Sequence, residues 1–491
     1  MSKEYKIHSV QYNFIMNVIL KLSTVIFPFI TFPYVSRILG AAGNGKIAFI
    51  SSIISYFTLM AGLGIPTYGI RICAKHRDNK KELNKVVKEL LIILAITTFI
   101  AYVTFFICYF SIPKFREDQA LMLMYSMTIL LTSFGVEWFY QAIEQYDYIT
   151  FRNLAFKILS VILMFIFVKS NEDYLIYGFI CILGGTGSNI LNILRLRKYV
   201  DLKEKTDIDI LIHIRPIVTL FMLSAASMIY TNLDSVMLGF ITDNTEVGYY
   251  NAAVKLKNIL LNFVTALGVV VLPRITNYLA RKEHEEVNKL LKKSFNYVLI
   301  SSLSLTIYCC FEARDCIMFL AGEGYEPAIL GMQLISPSII FIGFSNIIGL
   351  QILIPTEREN YTLISTIIGA VVDVILNLIL IPKYGSSGAA LATTIAELFV
   401  LLYQIWIVRK EILNYLDLKN IVKIILSMII STLTLMLVTK LIFTNVAFFN
   451  ILISGITFFG SLLIVLIIFK EDTIYPFFMK FLNKIILTND K

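Results

Sequence analysis

Charged residues are scarce in this chain of 491 residues. Asp, Glu, Lys and Arg together make up 16% of it, whereas soluble domains usually carry roughly 25%. Hydrophobic residues make up 57%, which excludes an ordinary globular enzyme. They recur in stretches of about 20, the length at which an α-helix crosses a bilayer while satisfying its own backbone amides. The composition therefore predicts an all-α integral membrane protein.

Histidine and cysteine are also few, with four and six residues in the whole chain. The histidines lie in or beside basic loops, and the cysteines lack metal-ligand spacing, so the sequence predicts no metal, no other cofactor and no disulfide framework. The net charge of +9 would suggest nucleic acid in a soluble protein. Here the basic residues fall in short loops between apolar spans, which indicates membrane topology instead. We expect no nucleic-acid partner and no enzymatic activity.

The apolar runs predict about fourteen membrane-spanning helices. Their expected ranges are 12–36, 46–70, 88–112, 119–143, 149–168, 174–194, 216–240, 248–272, 295–319, 329–354, 360–381, 388–408, 421–442 and 446–469. With the N-terminus placed inside, Lys and Arg are roughly four times as frequent in the inner segments as in the outer ones. Both termini are therefore predicted to be cytoplasmic. The first apolar run has no small-residue cleavage site, so it is expected to be a retained helix rather than a removed signal.

A basic stretch after the sixth predicted helix divides the chain. Because six is even, helix 7 enters the membrane in the same direction as helix 1, which permits a parallel pseudo-two-fold repeat. Gly40 and Gly45 at the turn after helix 1 match Gly239 and Gly248 at the turn after helix 7. The predicted divisions are an N-lobe of helices 1–6 at 1–200, a cytoplasmic linker at 201–215, a C-lobe of helices 7–12 at 216–408, and helices 13–14 with a cytoplasmic tail at 409–491.

Polar side chains recur at helical spacing on four of the predicted spans, which places each set on one helix face. The sets are Asn13, Asn17, Lys21 and Thr24 on helix 1; Ser51, Ser55 and Thr58 on helix 2; Ser224, Ser227, Thr231 and Asp234 on helix 7; and Asn251, Lys255, Asn258, Asn262 and Thr265 on helix 8. These helices would be equivalent under the repeat, so we expect them to line a shared hydrated cavity. The alternative is hydrogen bonding between packed helices. The lysines favour the cavity, because a cation in a closed interface would need an acidic partner.

Other ionisable residues also lie at membrane depth. Glu137 and Lys157 lie at similar depth and could form a structural ion pair, and Lys257 is a further buried cation. Three carboxylates are candidates for coupling transport to a H⁺ or Na⁺ gradient, because a change of charge state is what makes a gradient usable, although each could equally be a hydrogen-bonded structural acid. They are Asp234, Asp373 (with Asn377 one turn on) and Glu397.

Four prolines lie inside or near the ends of predicted spans, where proline bends a helix and frees a carbonyl. They are Pro28, Pro33, Pro66 and Pro337. We expect bends at these positions.

Several segments together resemble the Wzx-type polysaccharide flippases of the multidrug/oligosaccharidyl-lipid/polysaccharide (MOP) exporter superfamily. They are FPYVSRILG at 32–40 with Gly45, DSVMLG at 234–239 leading to EVGYYNAA at 246–253, GEGY at 322–325, and IPKYGSSGAALAT at 381–393 continuing to Glu397. The resemblance extends over nearly the whole chain. The alternatives are a lipid II flippase for peptidoglycan, a cation-coupled multidrug exporter of the same superfamily, and a membrane glycan polymerase, for which the short outer loops leave little room.

The resemblance implies two six-helix lobes, a cavity that is often cationic, and alternating access. It also implies the cargo: an oligosaccharide repeat unit on undecaprenyl pyrophosphate, moved across the bacterial cytoplasmic membrane for capsule or O-antigen assembly, with membrane lipid and the polysaccharide polymerase machinery as partners. Lysines would hold the phosphates as point charges and amides would bond to the sugars. The predicted substrate-binding residues are Lys21, Lys255, Asn17, Asn251, Asn258, Asn262 and Arg37.

Overall fold

The computed structural model describes residues 8–202, 204, 207–441, 444 and 446–480. Positions 203, 205 and 206 of the predicted linker and the end of the predicted tail, 481–491, lie outside this range. The described residues form helices and turns, with no strand among them. The prediction of an all-α protein is confirmed.

The chain groups into two compact units, Met1–Gly248 and Tyr249–Lys491. The α-helices that begin in the first unit are α1 (Val10–Gly62), α2 (Ile65–His76), α3 (Lys80–Ser111), α4 (Gln119–Ser133), α5 (Glu137–Ala142), α6 (Tyr146–Phe167), α7 (Tyr174–Ile182), α8 (Asn189–Leu196), α9 (Leu211–Ile241) and α10 (Asn244–Ala280), of which α10 continues into the second. The remaining α-helices are α11 (His284–Phe311), α12 (Ala313–Leu320), α13 (Ala328–Ile335), α14 (Ser338–Asn346), α15 (Glu359–Val408), α16 (Leu418–Leu441) and α17 (Ala447–Ile468). The predicted lobe boundaries, which depend on a repeat rather than on compactness, stay a prediction.

Short 3₁₀ and π-helical segments join some of these helices. They are the 3₁₀ turns Pro113–Arg116, Asn171–Asp173 and Ile412–Asn414, and the π-helical segments Leu183–Gly187 and Ile347–Leu353. Two of the long helices begin with a side-chain cap. The Ser9 hydroxyl accepts a hydrogen bond from the Tyr12 amide at 3.2 Å, and the Asn79 side chain accepts one from the Glu82 amide at 3.4 Å. Each cap satisfies one of the amides that a helix start leaves without a partner.

Twelve described helical stretches are long and apolar enough to cross a membrane. Large apolar side chains on them are openly exposed, as Phe99 is at 70% and Ile456 at 68%. Such a surface suits hydrocarbon and not water. The chain is therefore a multi-pass membrane protein, as predicted. Two of the twelve stretches, of 66 and 50 residues, exceed the roughly 20 residues that one crossing needs. The count of about fourteen crossings requires each of them to cross twice and stays a prediction.

The two longest helices are interrupted at glycines. Gly40 within α1 has φ 63° and ψ −175°, and Gly385 within α15 has φ 53° and ψ −132°. L side chains rarely adopt such positive φ, which explains glycine at both positions. Pro28 and Pro33 lie inside α1 without a non-helical residue beside them. The interruption of α1 is at Gly40 instead, and the bends expected at these two prolines stay a prediction.

The other two prolines that we singled out lie at helix ends. Pro66 is the second residue of α2, whose N-cap is Gly64, and Pro337 is the cap residue between α13 and α14. Proline is tolerated there because the amide that it lacks would have had no helical partner. Both positions are helix boundaries, and the bends expected there stay a prediction.

Two of the glycines that the sequence matched, Gly45 and Gly248, lie where α1 and the start of α10 approach closely inside the first unit. A Cβ on Gly45 would lie 1.6 Å from the Asn244 carbonyl oxygen, and a Cβ on Gly248 would lie 2.0 Å from the Ala41 carbonyl oxygen. Gly45 thus faces the residue four positions before Gly248, and Gly248 faces the residue four positions before Gly45. Such a reciprocal contact is what a local two-fold arrangement produces. The absence of side chains lets the two backbones touch.

Candidate functional site

The polar stripe of α1 divides into a structural end and an open middle. Asn13 is buried, and its side-chain amide donates to Glu144 Oε2 at 3.2 Å. Glu144 also forms an ion pair with Arg77. Further along the helix Asn17 is half-buried and Lys21 is exposed. Asn13 therefore belongs to a packing network, whereas Asn17 and Lys21 remain available for the predicted binding role.

Arg37 lies at the far end of the same helical segment. Its guanidinium donates to the Pro33 carbonyl oxygen at 2.5 Å, four residues earlier on α1. The residue itself is exposed. A guanidinium has five N–H donors, so this local hydrogen bond does not occupy all of them, and the predicted substrate contact of Arg37 stays a prediction.

The stripe of α9 runs along a helix that packs against α1 within the first unit. Ser224 donates its hydroxyl to the Leu220 carbonyl oxygen at 3.0 Å, and Thr231 donates to the Met228 carbonyl oxygen at 3.2 Å. Such back-bonding is typical of Ser and Thr in apolar helices. Asp234 differs because it is buried, at 4% exposure. It also takes part in a polar or electrostatic interaction.

The stripe of α10 in the second unit is the more open one. Asn258 and Asn262 are exposed, and Asn251 and Lys255 are half-buried. Lys257, two residues from Lys255, is buried. Three of the four predicted substrate-binding residues of this unit are thus asparagines on one accessible face, with the lysine beside them. Their binding role stays a prediction.

Two candidate coupling carboxylates lie on α15, one on each side of the interruption at Gly385. Asp373 is 1% exposed and Glu397 is 8% exposed. Asn377, one turn from Asp373, is fully buried on the same face, as the sequence predicted. Asp373 and Glu397 each take part in a polar or electrostatic interaction. Their burial fits both of the roles considered for them, so the coupling role stays a prediction.

The predicted pair between Glu137 and Lys157 was wrong. Glu137 Oε2 instead accepts from the Arg152 guanidinium at 2.8 Å. Lys157 Nζ donates to the Ser23 hydroxyl at 2.8 Å and lies 5.8 Å from the centre of the Phe27 ring. Arg152 is five residues closer to Glu137 along the chain than Lys157 is, and its planar guanidinium suits a carboxylate better than an ammonium does.

Sequence reasoning missed a network of buried side chains that includes part of the predicted linker. His213 Nε2 lies 2.9 Å from Glu89 Oε2, and the Tyr68 hydroxyl lies 2.8 Å from His213 Nδ1. The second oxygen of Glu89 accepts from the Asp209 backbone amide at 2.7 Å. The available signal was Glu89 itself, an acid within the third predicted span. We had placed His213 in or beside a basic loop and expected a structural or incidental role, without its partners.

A second acidic site lies just beyond the end of α11. Glu312 is 6% exposed. Burial, with a smaller contribution from the nearby Asp315 carboxylate, raises the pKa of Glu312 from 4.5 to about 7, and a hydrogen bond with Ser454 opposes the rise. Glu312 therefore changes its protonation state near neutral pH.

Among the described residues, no group of three or more His, Cys, Asp or Glu side chains is placed to hold a metal ion. All six cysteines are free thiols. The chemistry of the described polar positions is thus that of ammonium, amide, hydroxyl and carboxylate groups distributed along apolar helices. Such groups can bind and release polar ligands without forming covalent bonds.

A family model described as "Polysaccharide biosynthesis protein" matches residues 10–279, which is more than half of the chain. The chain belongs to this family. The match extends from α1 almost to the end of α10. It includes the α1, α9 and α10 stripes.

Related proteins align with most of the length of this chain. An Escherichia coli K12 protein named "Putative O-antigen transporter" is 22% identical over 411 residues, covering 82% of this chain and 97% of that protein. A Shigella dysenteriae protein of the same name is 24% identical over 387 residues, covering 77% and 95%. Both are named as transporters, which agrees with the prediction that this chain is not an enzyme.

Among solved structures, that of the lipid II flippase MurJ in an inward closed conformation matches with a TM-score of 0.75. The match covers 94% of this chain and all of the other, at 18% identity. At this identity the likeness establishes the fold alone. The chain therefore shares the fold of that flippase structure, and what the chain carries is a separate question.

Proposed function

We propose that this protein moves an oligosaccharide repeat unit, linked to undecaprenyl pyrophosphate, from the inner to the outer leaflet of the bacterial cytoplasmic membrane. It works by alternating access and supplies repeat units for capsule, O-antigen or another surface polysaccharide. Both termini lie in the cytoplasm, and the polysaccharide polymerase machinery receives the product. The named O-antigen transporters, aligned over nearly their whole length, support this assignment.

The observation that carries the proposal is the position of Lys21. It is exposed on α1, where the neighbouring apolar side chains Ile15 and Leu22 are exposed as well, at 53% each. A lysine at the centre of a membrane helix costs about 3 kcal/mol on insertion scales. An anionic headgroup in a hydrated space would offset that cost, since charge-assisted hydrogen bonds to phosphate are among the stronger ones.

The amides on α10 suit the sugar part of the same cargo. Asn258 and Asn262 present both donors and acceptors on an accessible face, next to Lys255. Sugar hydroxyls are matched donors and acceptors, so asparagine side chains can bond to them without a net charge. A pyrophosphate and a sugar chain cannot cross hydrocarbon unaided, because burying their polar groups without partners is too costly.

We further propose that transport is coupled to a H⁺ or Na⁺ gradient. Asp234, Asp373 and Glu397 are the candidate carboxylates, and all three are buried in helices of membrane-spanning length. A carboxylate held in such surroundings changes its interactions sharply when it gains a proton or a cation. That change can bias two conformations of a carrier differently.

The test replaces Lys21 by glutamine, which keeps most of the length of the side chain and a hydrogen-bond donor, and removes its charge. Lys21→Arg, which keeps the charge, is the conservative partner. The control is Lys293→Gln, an exposed lysine on α11 that lies outside the four stripes. In the native host we expect Lys21→Gln to abolish surface polysaccharide at unchanged protein level. Lys21→Arg and Lys293→Gln should retain it.

The lipid-linked glycan that accumulates on the inner leaflet identifies the cargo. Accumulation of the undecaprenyl-pyrophosphate-linked repeat unit in Lys21→Gln cells supports the proposal. Accumulation of lipid II would assign the protein to peptidoglycan synthesis instead. Normal surface polysaccharide in both Lys21→Gln and Lys255→Gln cells would contradict the phosphate-binding role of the lysines.

A further inference from the structure

A cavity with a basic lining lies in the first unit, at the start of α3 and just after α8. Its volume is about 640 Å³, and it is lined by Lys80, Arg197, Lys198, Tyr199, Val200, Asp201 and Leu202. Among the described lining residues, three are cations and one is a carboxylate. The volume falls within the range of about 300–1,000 Å³ that is usual for small-ligand sites. The size and charge suit a phosphate group with part of its substituents.

The backbone that carries Arg197 and Lys198 is anchored by the residues that follow them. Tyr199 and Val200 are buried, at 5% and 2% exposure, in the core that α2, α3 and α5 share. The Asp201 backbone amide donates to the side chain of the buried Asn84 at 3.2 Å. Arg197 and Lys198, immediately before this anchored pair, are exposed. Their backbone is therefore fixed while their side chains border the cavity.

The surroundings of the cavity are those of a membrane surface. Leu202 lines it and is 38% exposed, while Leu194 on α8 is 63% exposed. Exposed leucines beside exposed cations are typical of helix ends at the boundary between lipid headgroups and acyl chains. A free anion would need the cations but not the leucines.

We propose that this cavity binds the phosphate headgroup of an anionic membrane phospholipid, whose acyl chains lie along the exposed leucines. The lipid is a resident of the membrane rather than the transported cargo, so the proposal does not depend on the identity of that cargo. On the topology predicted from the basic residues, the headgroup belongs to the inner leaflet. Each cation near a membrane surface strengthens such binding about fivefold, so removing two should weaken it about 25-fold.

The experiment uses the full chain, purified in a mild detergent and titrated with phosphatidylglycerol, with bound lipids counted by native mass spectrometry. Phosphatidylcholine is the zwitterionic comparison. The test variant is Arg197→Gln/Lys198→Gln. The control is Lys292→Gln/Lys293→Gln, two adjacent exposed lysines of the second unit whose loss changes the net charge equally. A charge swap, Arg197→Lys/Lys198→Arg, keeps both cations in the cavity.

We expect the first phosphatidylglycerol to bind about 25-fold more weakly to the test variant than to the unmodified chain. The control and the charge swap should bind it normally, with thermal unfolding unchanged in all three. Equal binding of phosphatidylcholine and phosphatidylglycerol, or equal losses in test and control variants, would overturn the proposal. Inorganic phosphate or pyrophosphate that displaces the lipid at similar concentration would overturn its lipid part and assign the cavity to a free anion.

Discussion

Replacing Gly45 by alanine adds a single methyl group where the start of α10 meets α1. That carbon would lie 1.6 Å from the Asn244 carbonyl oxygen, whereas ordinary van der Waals contact begins near 3.4 Å. The two helix segments would have to separate by about 1.8 Å. Overpacking of a core costs roughly 1–3 kcal/mol. Because the opposing atom is backbone and cannot rotate away, we expect the loss of unfolding free energy to be about 3 kcal/mol.

Thermal unfolding of the purified protein measures this loss, and surface polysaccharide in cells reports its effect on function. The control is Gly460→Ala on α17, where an added Cβ has no atom within 4 Å. We expect a clear fall in unfolding temperature for Gly45→Ala and none for Gly460→Ala. Equal behaviour of the two variants would refute the reasoning from the close approach.

The reciprocity of the contact gives a sharper test. Gly248→Ala should destabilise the protein about as much as Gly45→Ala, because its Cβ would lie 2.0 Å from the Ala41 carbonyl oxygen. One separation of the helices relieves both clashes, so the double variant should lose less than the sum of the single losses. Strictly additive losses would show that the two glycines act independently.

Three further predictions concern other sites. Glu312→Gln should flatten the pH dependence of thermal unfolding. Burial raises the pKa of Glu312 from 4.5 to about 7, so between these values the folded chain keeps a proton that the unfolded chain releases. The stability of the unmodified chain therefore falls as the pH rises through that window. Midpoints measured from about pH 5 to about pH 8 test this, and an unchanged slope in the variant contradicts it. Glu89→Leu should lower the unfolding free energy by about 2 kcal/mol, because His213 and a backbone amide lose their buried acceptor; wild-type unfolding would show that the network contributes nothing. Arg358→Lys should lower it by less than about 1 kcal/mol, because the pair with Glu411 is 28% and 40% exposed; a larger loss would contradict that solvent screening.

The sequence predicted most of the helical spans because hydrophobicity depends on residue type alone. The predicted third span, 88–112, ends one residue after α3 does at Ser111. The predicted ninth span, 295–319, continued through the turn at Glu312, where α11 ends and α12 begins. The apolar character persists across that turn, so hydropathy could not detect it.

Helix breaks were harder to predict than spans. A proline removes one hydrogen bond, which a long helix tolerates, as α1 does at Pro28 and Pro33. Positive φ at Gly40 and Gly385 interrupts the helices more completely. Glycine is common throughout membrane helices, so the sequence alone does not show which glycines adopt that conformation.

Partner choice was the least predictable property of the candidate site. Helical spacing correctly placed Asp373 and Asn377 on one buried face. It could not show that Glu137 bonds to Arg152, or that Asn13 bonds to Glu144, because both choices depend on how other elements pack. Spacing assigns a side chain to a face of its own helix, and tertiary packing decides what lies opposite.

The connection between α8 and α9 is hydrogen-bonded to α3 at two points. Asn84 of α3 donates to the Glu204 carboxylate at 2.6 Å, and Glu89 accepts from the Asp209 amide at 2.7 Å. Fusion of a fluorescent reporter into this stretch, an obvious choice from its polar sequence, would pull on α3 through both attachments. Loops with fewer such bonds are better insertion points. Natural variation in the length of this connection should be accompanied by changes at Asn84 and Glu89.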